Sequence, residues 1–516
     1  MLRQFFSFQL YRISALDLSM PKDLLRNFRG DLRAPLPLHP LEKLLLVIVA
    51  LNVCSLPWML GGMRPWAQFI SLGLSVTAFV VALLPRNYAG NLTRGKDYWG
   101  NPINKLIRWP LWWIGLLFFG YVLIQALNPA WEFVQNPESW SMFPVAHIEW
   151  LPTGMRTPFE MMNPWRQMMI WGAPFLLICA LWIGFTRRKS VINLLTAIVA
   201  NATVLAVVGI VARYTEPGKI LWLVKGVPDY CFSSFIYKNH AGSFFLIMTG
   251  IAISLAVWHH KRAKTKRKRS GPSGIFLLMA AVLSAAVLMT YSRGAILILA
   301  AFLALTTIVT VVGLIRSGAN RETPLLLALL ICVVVGFVGI SAYLVSSTKT
   351  LDRIDRLTQD SHSERSVFLR QYAWQAGLEM AVDRKAAGWG AGGFRFMFPA
   401  YQKNYPKIVW QRWRINRDFM FWEHAHNDYL QVLIETGRVG FGILGLGFSA
   451  FLLAYARARG FSQHFPMALL ASAFLTLAHS WIDFPLQNPA VLLTWSAVLV
   501  LALIAAAQER HRRLAQ

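Results

Sequence analysis

Long runs of apolar residues alternate with shorter polar segments along most of this chain. A membrane-spanning helix needs about 20 mostly apolar residues, and twelve windows of that kind occur in the sequence. They lie near residues 43–60, 66–84, 109–127, 167–186, 191–213, 240–258, 274–292, 295–315, 324–346, 439–456, 465–484 and 490–507. The pattern therefore predicts an all-α polytopic membrane protein with about twelve transmembrane helices.

The polar segments that join alternate windows are basic. With a cytoplasmic N-terminus, every segment on the cytoplasmic side carries lysine or arginine, as the positive-inside rule requires. These residues include Arg86, Arg94, Lys96, Lys105, Arg108, Arg187, Arg188, Lys189, Arg316, Arg321, Arg457, Arg459, Arg510, Arg512, Arg513 and the run from Lys261 to Arg269. An even number of spans with both termini in the cytoplasm fits this distribution.

The predicted organisation follows from these windows. Residues 1–42 form a cytoplasmic or membrane-surface tail, residues 43–346 hold spans one to nine, and residues 439–507 hold the last three spans before a short cytoplasmic tail, 508–516. Residues 347–438 form a large periplasmic loop between the ninth and tenth spans. A loop of that length is expected to have structure of its own, so we predict that it is partly helical.

Composition supports the membrane class and excludes several others. The chain has 516 residues, of which 56% are hydrophobic, compared with about 45–50% in soluble domains. Its net charge of +27 suggests nucleic acid in a soluble protein, but the run His259–Arg269 directly follows a span and has no interleaved aromatic residues. We therefore expect it to contact anionic membrane lipids and expect no nucleic-acid partner. The four scattered cysteines fit neither a disulfide framework nor a metal-ligand spacing.

Two features predict local structure within the large loop. Ser361-His362-Ser363-Glu364 has the S-x-x-E pattern of a helix capping box, and the residues after it are compatible with a helix. That helix is expected to end before Gly388-Trp389-Gly390-Ala391-Gly392-Gly393, because glycines favour a tight turn.

The most polar stretch next to a predicted span is Glu423-His424-Ala425-His426-Asn427-Asp428-Tyr429-Leu430-Gln431. A helix starting near His426 would place His426, Leu430 and Leu433 on one face and run into the span at Val439. His424 and His426 would then share a side only if their segment is extended. An imidazole at this position suits a general base, whereas a purely structural cap for the helix is the alternative. A metal site formed by Glu423, His424, His426 and Asp428 is also conceivable, although the spacing matches no H-E-x-x-H or related ligand pattern.

Other ionisable residues lie at the ends of predicted spans. Arg293, in Tyr291-Ser292-Arg293-Gly294, is costly at that depth unless it meets an anion or extends to the lipid head groups. Arg365 either contributes a second guanidinium for phosphate or is an exposed helix charge. Lys238, His240 and Asp483 lie where spans begin or end, and structural caps are the alternative for each.

These motifs resemble those of the O-antigen ligase and O-antigen polymerase superfamily, which are GT-C type membrane glycosyltransferases. The matching elements are His426-Asn427-Asp428-Tyr429-Leu430 with Gly437 and Gly440, Ser292-Arg293-Gly294, Glu364-Arg365 with Trp374, and Gly388-Trp389-Gly390. The resemblance extends over about residues 200–485. The N-terminal tail and the second histidine, His424, have no evident counterpart.

The resemblance implies a reaction at the periplasmic face of the bacterial inner membrane. The donor would be a polyprenyl-diphosphate-linked glycan, here undecaprenyl diphosphate, and no nucleotide sugar, cofactor or metal would be required. Arg293 and Arg365 would hold the diphosphate, and His426 would act as general base in an inverting transfer. His424, Asn427, Asp428, Lys238, His240 and Asp483 would support the site or contact donor and acceptor.

The acceptor and the function class are left open by the sequence. Lipid A core would make the protein a ligase, another lipid-linked repeat unit would make it a polymerase of O-antigen or exopolysaccharide, and a protein hydroxyl would make it a protein O-oligosaccharyltransferase. A secondary transporter and a scaffold subunit of an export complex are rivals from other classes. Transporters place ionisable residues near the middle of the bilayer, whereas here they gather at the ends of the spans, which favours an enzyme.

Overall fold

The computed structural model describes residues 38–87, 99–100, 102–226, 230–265, 271–316, 362–413 and 416–515. The predicted window 324–346 and most of the predicted N-terminal tail lie outside the described residues. The backbone of Arg365 is described as part of a helix, but its side chain is not.

Helices dominate the described part of the chain. They are α1 (Pro40–Ser55), α2 (Pro65–Leu83), α3 (Pro102–Ile107), α4 (Pro110–Leu127), α5 (Pro164–Gly184), α6 (Arg188–Thr215), α7 (Lys238–Thr265), α8 (Ser273–Met289), α9 (Arg293–Arg316), α10 (His362–Asp383), α11 (Phe394–Gln402), α12 (Pro406–Val409), α13 (Asp428–Arg457), α14 (His464–Ser480) and α15 (Pro489–Ala515). Four short 3₁₀ segments accompany them, Leu56–Trp58, Leu60–Gly62, Gly460–Ser462 and Pro485–Gln487.

Strands are few and short. They are β1 (Arg86–Asn87), β2 (Trp99–Gly100), β3 (Pro129–Gln135), β4 (Trp140–Pro144), β5 (Gly154–Arg156), β6 (Lys219–Ile220), β7 (Val224–Lys225), β8 (Trp410–Trp413) and β9 (Asn416–Phe419). β3 pairs antiparallel with β4 and parallel with β5, and the other strands form two-stranded pairs.

Nine helices among the described residues are long and apolar enough to cross a membrane. They are α1 (with the turn after it), α2, α4, α5, α6, α7, α9, α13 and α15. α8 is apolar but has only 17 residues, and α14, which corresponds to the predicted window 465–484, also has 17. The predicted fold class, an all-α polytopic membrane protein, is confirmed, and the connection between α9 and α13 contains helices, as predicted.

Several spans begin with proline. Pro40, Pro65, Pro110 and Pro164 each occupy the first position of their helix. The first residues of a helix have no intrahelical acceptor for their N–H groups, so a residue without that group loses nothing there. These prolines therefore set where α1, α2, α4 and α5 begin.

Close packing of small residues brings three helices together near Arg293. A β-carbon added at Gly242 of α7 would lie 3.0 Å from the Ser292 side chain, and one added at Gly294 of α9 would lie 3.0 Å from His479 Nε2 of α14. In a membrane, where apolar burial gives helices little reason to associate, such close backbone approach supplies van der Waals contact. Arg293 is thereby fixed at the junction of α7, α9 and α14.

Alternation of the spans places many of their ends at one end of the bundle. The N-termini of α2, α5, α7, α9, α13 and α15 and the C-termini of α4 and α14 lie there, together with the connection from α10 to β9. We call this the site end. A second apolar core, separate from that of the bundle, lies in this region and includes Trp389, Phe394, Phe398, Trp422 and Ile434.

The glycine turn predicted after α10 is present and docks on α13. Gly388, Gly390 and Gly392 have positive φ, and the Trp389 and Gly390 amides donate to Ile434 O and Glu435 O, both at 2.9 Å. Gln125 of α4 supports the turn, since its Oε1 accepts from Ala391 N at 3.1 Å. The glycine turn is therefore hydrogen-bonded directly to two of the spans, α13 and α4.

Candidate functional site

His426 and Asp483 form the ionisable pair at the centre of the site end. His426 precedes α13, and Asp483 lies in the turn between α14 and α15. Their side chains approach to 3.5 Å between His426 Nδ1 and Asp483 Oδ1. This distance is long for a hydrogen bond, and Nδ1 has no hydrogen-bond partner among the described residues. The side chain of Asp483 is 2% exposed and that of His426 is 22% exposed, so the pair is buried on the aspartate side and open on the histidine side.

Three groups hold the Asp483 carboxylate. Arg370 of α10 donates from Nη2 to Asp483 Oδ2 at 3.3 Å and from Nη1 to Ile482 O at 2.7 Å. Asn239 of α7 also donates to Oδ2, and the Phe484 amide donates to Oδ1 at 2.9 Å. Burial alone raises the pKa of Asp483, but the contact with His426 and the charge of Arg370 outweigh it, so this pKa lies below its ordinary value. The carboxylate is ionised at neutral pH.

Aromatic rings define the orientation of the His426 imidazole. Its ring packs edge to face against Phe484, with centroids 4.8 Å apart, and against Trp422 at 5.5 Å. Burial lowers the pKa of His426 and outweighs the opposing effect of Asp483. The imidazole is therefore neutral at neutral pH. The anionic Asp483 favours the proton on Nδ1, which leaves Nε2 as the basic nitrogen.

The backbone of His426 is in the left-handed region, with φ 51°. This conformation costs a non-glycine residue about 1–2 kcal/mol, so the neighbouring contacts must maintain it. Trp374 Nε1 donates to Ala425 O at 2.9 Å on one side. On the other side, Asn427 Oδ1 accepts from Leu430 N at 3.0 Å, and Asn427 Nδ2 donates to Trp481 O at 3.0 Å.

The prediction that a helix starts near His426 and includes it is wrong. Asn427 is the N-cap of α13 and Asp428 its first residue, so His426 lies before the helix and shares no helical face with Leu430 and Leu433. Asparagine is among the strongest N-cap residues, which explains why the helix starts after it. The segment before α13 is non-helical, and it places His424 and His426 against the same Phe484 ring.

His424 is held within the protein. Its ring stacks on Phe484 with centroids 4.4 Å apart, and its Nδ1 lies 3.2 Å from Gln431 Oε1. Gln431 Oε1 also accepts from Ala425 N, and Gln431 Nε2 donates to Glu435 Oε1 at 3.1 Å. Burial lowers the pKa of His424 to about 3. His424 is a neutral packing group that shares the Phe484 ring with His426, and its predicted supporting role stays a prediction.

Asp428 is also held by the fold. Its Oδ2 accepts from Leu486 N at 3.0 Å and its Oδ1 from Gln487 Nε2 at 3.3 Å. It thereby joins the start of α13 to the Pro485–Gln487 turn that follows Asp483. Glu423 instead pairs with Arg395 at 2.6 Å. The residues that a metal site would have needed thus serve separate partners, and no group of three or more possible ligand residues occurs in the described part of the chain.

The other predicted site residues lie at the starts of α7 and α9 and on α10. His240 of α7 is buried and packs edge to face on Phe484, with centroids 5.0 Å apart. Lys238 lies over the Tyr230 ring at 5.7 Å. Arg293 is exposed at the start of α9, next to Gly294, which contacts His479 and Ile482. Arg365 lies on α10, one and a half turns before Arg370.

Residues 278–445 match the family model of the O-antigen ligase. The match includes the three residues with predicted catalytic or diphosphate-binding roles, His426, Arg293 and Arg365. The predicted resemblance to the O-antigen ligase superfamily is thereby confirmed. No curated protein matches the chain.

The O-antigen ligase match covers only part of the site that the structure assembles. Arg293, Arg365, Arg370, Glu423 and His426 lie inside it. The Asp483 carboxylate comes from the turn after α14, and Asn239 and His240 come from α7, so these partners lie outside the match. The site combines the O-antigen ligase segment with helices from before and after it.

Two residues that hold Asp483 were not among the predicted site residues. Arg370 and Asn239 are separated from Asp483 by more than one hundred residues of sequence. Arg370 follows the predicted helix start and has no distinguishing neighbour, so nothing in the sequence marks it. Asn239 could have been predicted, because it lies between Lys238 and His240, which were both candidate site residues.

Proposed function

We propose that this protein is an inverting membrane glycosyltransferase that transfers an oligosaccharide or polysaccharide from a polyprenyl diphosphate to an acceptor hydroxyl. The observation that carries the proposal is the partly exposed His426 imidazole, which lies beside an ionised carboxylate that Arg370 and Asn239 hold. Such a pair has a neutral nitrogen ready to accept a proton and an anion that stabilises the imidazolium once it forms.

The proposed transfer step uses His426 as the general base. The acceptor hydroxyl attacks the anomeric carbon, and its proton passes to His426 Nε2. The bond from the anomeric carbon to the diphosphate oxygen breaks at the same time, and its electron pair leaves with the polyprenyl diphosphate. Attack opposite to the leaving group inverts the anomeric configuration. The reaction needs no nucleotide sugar, metal or cofactor.

Arg293 and Arg365 are proposed to hold the diphosphate and to stabilise its developing charge. Guanidinium groups suit phosphate oxygens because they present paired donors in one plane. The exposed position of Arg293, at the positive N-terminal end of α9, supports this role. Lys238 and His240, at the start of the neighbouring α7, are proposed to contribute to donor or acceptor binding.

The proposed location is the bacterial inner membrane, with the site end in the periplasm. Basic residues at the opposite end, among them Arg86, Lys105, Arg187 and Arg457, support this orientation through the positive-inside rule. An oligosaccharide carried by undecaprenyl diphosphate would reach the site from the outer leaflet. The acceptor hydroxyl would belong to lipid A core, to a second lipid-linked glycan of a surface polysaccharide, or to a protein.

An Arg293→Gln variant tests the donor site. We expect the rate of polyprenyl diphosphate release to fall by about 10²-fold, as when one electrostatic donor to a developing charge is removed. Release is measured by mass spectrometry in proteoliposomes that contain a synthetic polyprenyl-diphosphate glycan and an acceptor. Arg156→Gln is the control, because Arg156 is an exposed arginine at the same end that pairs with Glu132. Equal rates for the two variants would exclude Arg293 from the donor site.

The pH dependence of transfer tests the His426–Asp483 pair. Only neutral His426 accepts a proton, so the rate should fall as the pH falls through the His426 pKa, which burial places below its ordinary value. Asp483 raises the His426 pKa, so Asp483→Asn should move this acid limb to lower pH. The same variant should lower the plateau rate by at least about tenfold, because the imidazolium loses its anion.

The shift of the acid limb separates this role from a structural one. A variant that only loosened the turn after α14 would lower the rate without moving the limb to lower pH. Asp483→Glu, which restores the charge, should return the limb towards its original position. An unshifted limb in Asp483→Asn would contradict the pairing of Asp483 with the base.

A further inference from the structure

Three arginines from different parts of the chain lie near one another at the site end, since the charges of Arg395 and Arg64 both act on Arg166. Arg166, in the first turn of α5, is 7% exposed, and its Nη2 donates to Met63 O at 3.2 Å, which places it beside the neighbouring Arg64. Gly392 packs on Asn163, since a β-carbon there would lie 3.0 Å from Asn163 N. This contact brings the start of α11, with Arg395, next to the start of α5. We call Arg64, Arg166 and Arg395 the arginine cluster.

A chain of direct contacts connects the arginine cluster with His426. Arg395 Nη2 lies 2.6 Å from Glu423 Oε1, and Glu423 precedes His424. The His424 ring stacks on Phe484, and the His426 ring packs against the same Phe484. The positive charge of Arg395 contributes to the lowered pKa of His424, after the larger effect of burial. The arginine cluster is therefore linked to His426 through Glu423, His424 and Phe484.

The three guanidinium groups of the cluster face two carboxylates, that of Glu423, which pairs with Arg395, and that of Glu160, whose charge acts on Arg166. Arg166 donates to three neutral oxygens, those of the Gln68 side chain and of the Glu160 and Met63 backbones. Neither Arg166 nor Arg64 has an ion-pair partner within 4 Å among the described residues. A buried guanidinium without a paired carboxylate is costly, and the positive N-terminal end of α5 adds to the potential. This arrangement is suited to an anion.

Exposed aromatic side chains border the arginine cluster. Trp66 and Phe69 lie on α2 just after Arg64, and Trp165 precedes Arg166, and all three are about half exposed. Phe69 stacks on Phe159 with centroids 5.5 Å apart. Aromatic residues at the ends of spans lie at the level of lipid head groups. The anion that reaches this cluster would therefore come from a molecule anchored in the membrane.

We propose that the arginine cluster binds the phosphate of a lipid-anchored acceptor glycan, with the lipid chain along Trp66 and Phe69 and the acceptor hydroxyl directed towards His426. The inference rests on the proposed transferase function and narrows it to acceptors that are themselves phosphorylated lipids. Two sources share this chemistry: a second polyprenyl-diphosphate glycan, and a glycolipid core with phosphate on its sugars. A protein hydroxyl lacks the anchored phosphate.

Binding to the purified full-length protein tests the proposal without requiring transfer. Native mass spectrometry with polyprenyl diphosphate as the probe should show two molecules bound to the wild type. One should remain in Arg293→Gln and one in Arg64→Gln, while Arg156→Gln retains two. Arg64 is exposed, so this variant should fold, and its melting temperature checks that it does. A single bound polyprenyl diphosphate in the wild type together with no binding of phosphorylated lipid A core, or wild-type binding of both probes by Arg64→Gln, would overturn the second site.

Acceptor affinity distinguishes the two sources. Arg64→Gln and Arg395→Gln should weaken binding of the correct phosphorylated acceptor by at least about tenfold. They should leave binding of a matched acceptor without phosphate unchanged: the dephosphorylated lipid A core, or the same glycan joined to polyprenol without the diphosphate. Binding is measured separately for two acceptors. One is a polyprenyl-diphosphate glycan, with Arg293→Gln present in every protein compared, and the other is a phosphorylated lipid A core. Equal loss of affinity for the acceptors with and without phosphate would contradict the proposal. So would displacement of the bound acceptor by phosphatidylglycerol as effectively as by the acceptor itself.

Failure of this inference can be told apart from failure of the proposed function. If the wild type transfers glycan and Arg64→Gln retains wild-type acceptor binding and acceptor KM, the arginine cluster is not the acceptor site and the transferase function stands. If the wild type binds phosphorylated acceptor through Arg64 but transfers nothing, the site stands as a lipid-binding site and the proposed reaction is wrong.

Discussion

A His426→Ala variant is expected to lose transfer activity by about 10²- to 10⁴-fold, the range that general acid–base catalysis typically contributes. The imidazole provides the only proposed acceptor for the hydroxyl proton, and Asp483 is too deeply buried to replace it. Its side chain is 2% exposed and already binds Arg370 and Asn239. The donor arginines would remain, so donor binding should be retained.

Initial rates of product formation in proteoliposomes check this expectation. His147→Ala is the matched control, since His147 is a partly exposed histidine of the same end whose Nδ1 contacts Val145 O at 2.9 Å. The control should transfer at the wild-type rate. Transfer by His426→Ala at the rate of the control would remove the general-base role.

A Gly437→Ala variant is expected to destabilise the protein by at least about 3 kcal/mol, from backbone strain and overlap together. Gly437 interrupts α13 with φ 63° and ψ −172°, a conformation open only to glycine. A β-carbon would overlap Ala386 O and lie 2.5 Å from Gly388 N. The glycine turn from 388 to 393 would have to leave α13, and transfer should fall with it.

Gly442→Ala provides the control in the same helix. A β-carbon at Gly442 meets nothing within 4 Å, and alanine favours a helix over glycine by about 1 kcal/mol. This variant should therefore be as stable as the wild type or slightly more stable. Thermal unfolding in detergent compares the two variants. Equal melting temperatures would show that the break at Gly437 is not needed for the turn to dock.

The sequence predicted an all-α membrane protein and the glycine turn because both depend on local composition. Twenty apolar residues predict a helix through a membrane wherever they occur, and Gly388-Trp389-Gly390 predicts a turn without knowledge of its neighbours. The partner of that turn could not be predicted. Gly437 looks like an ordinary glycine near a span, and only the approach of Ala386 and Gly388 shows why it must be glycine.

The candidate site was predicted only in part for a similar reason. His426, Asn427 and Asp428 attract attention because polar residues are rare beside a span. The position of His426 on a helical face was predicted wrongly, because hydrophobic periodicity was followed through Asn427, whose capping preference ends the helix. The pairing of Asp483 with His426, Arg370 and Asn239 depends on three distant segments, and no local pattern encodes it.

We propose that glycan passes from a polyprenyl diphosphate to an acceptor at His426 with inversion. The most direct test reconstitutes the purified protein with a synthetic polyprenyl-diphosphate glycan of known anomeric configuration and a phosphorylated lipid acceptor, without nucleotide sugar. The new glycosidic bond is then assigned by nuclear magnetic resonance. We predict a product of inverted configuration from the wild type and almost none from His426→Ala. A product of retained configuration, equal product from His426→Ala, or solute flux without any transfer would contradict the account.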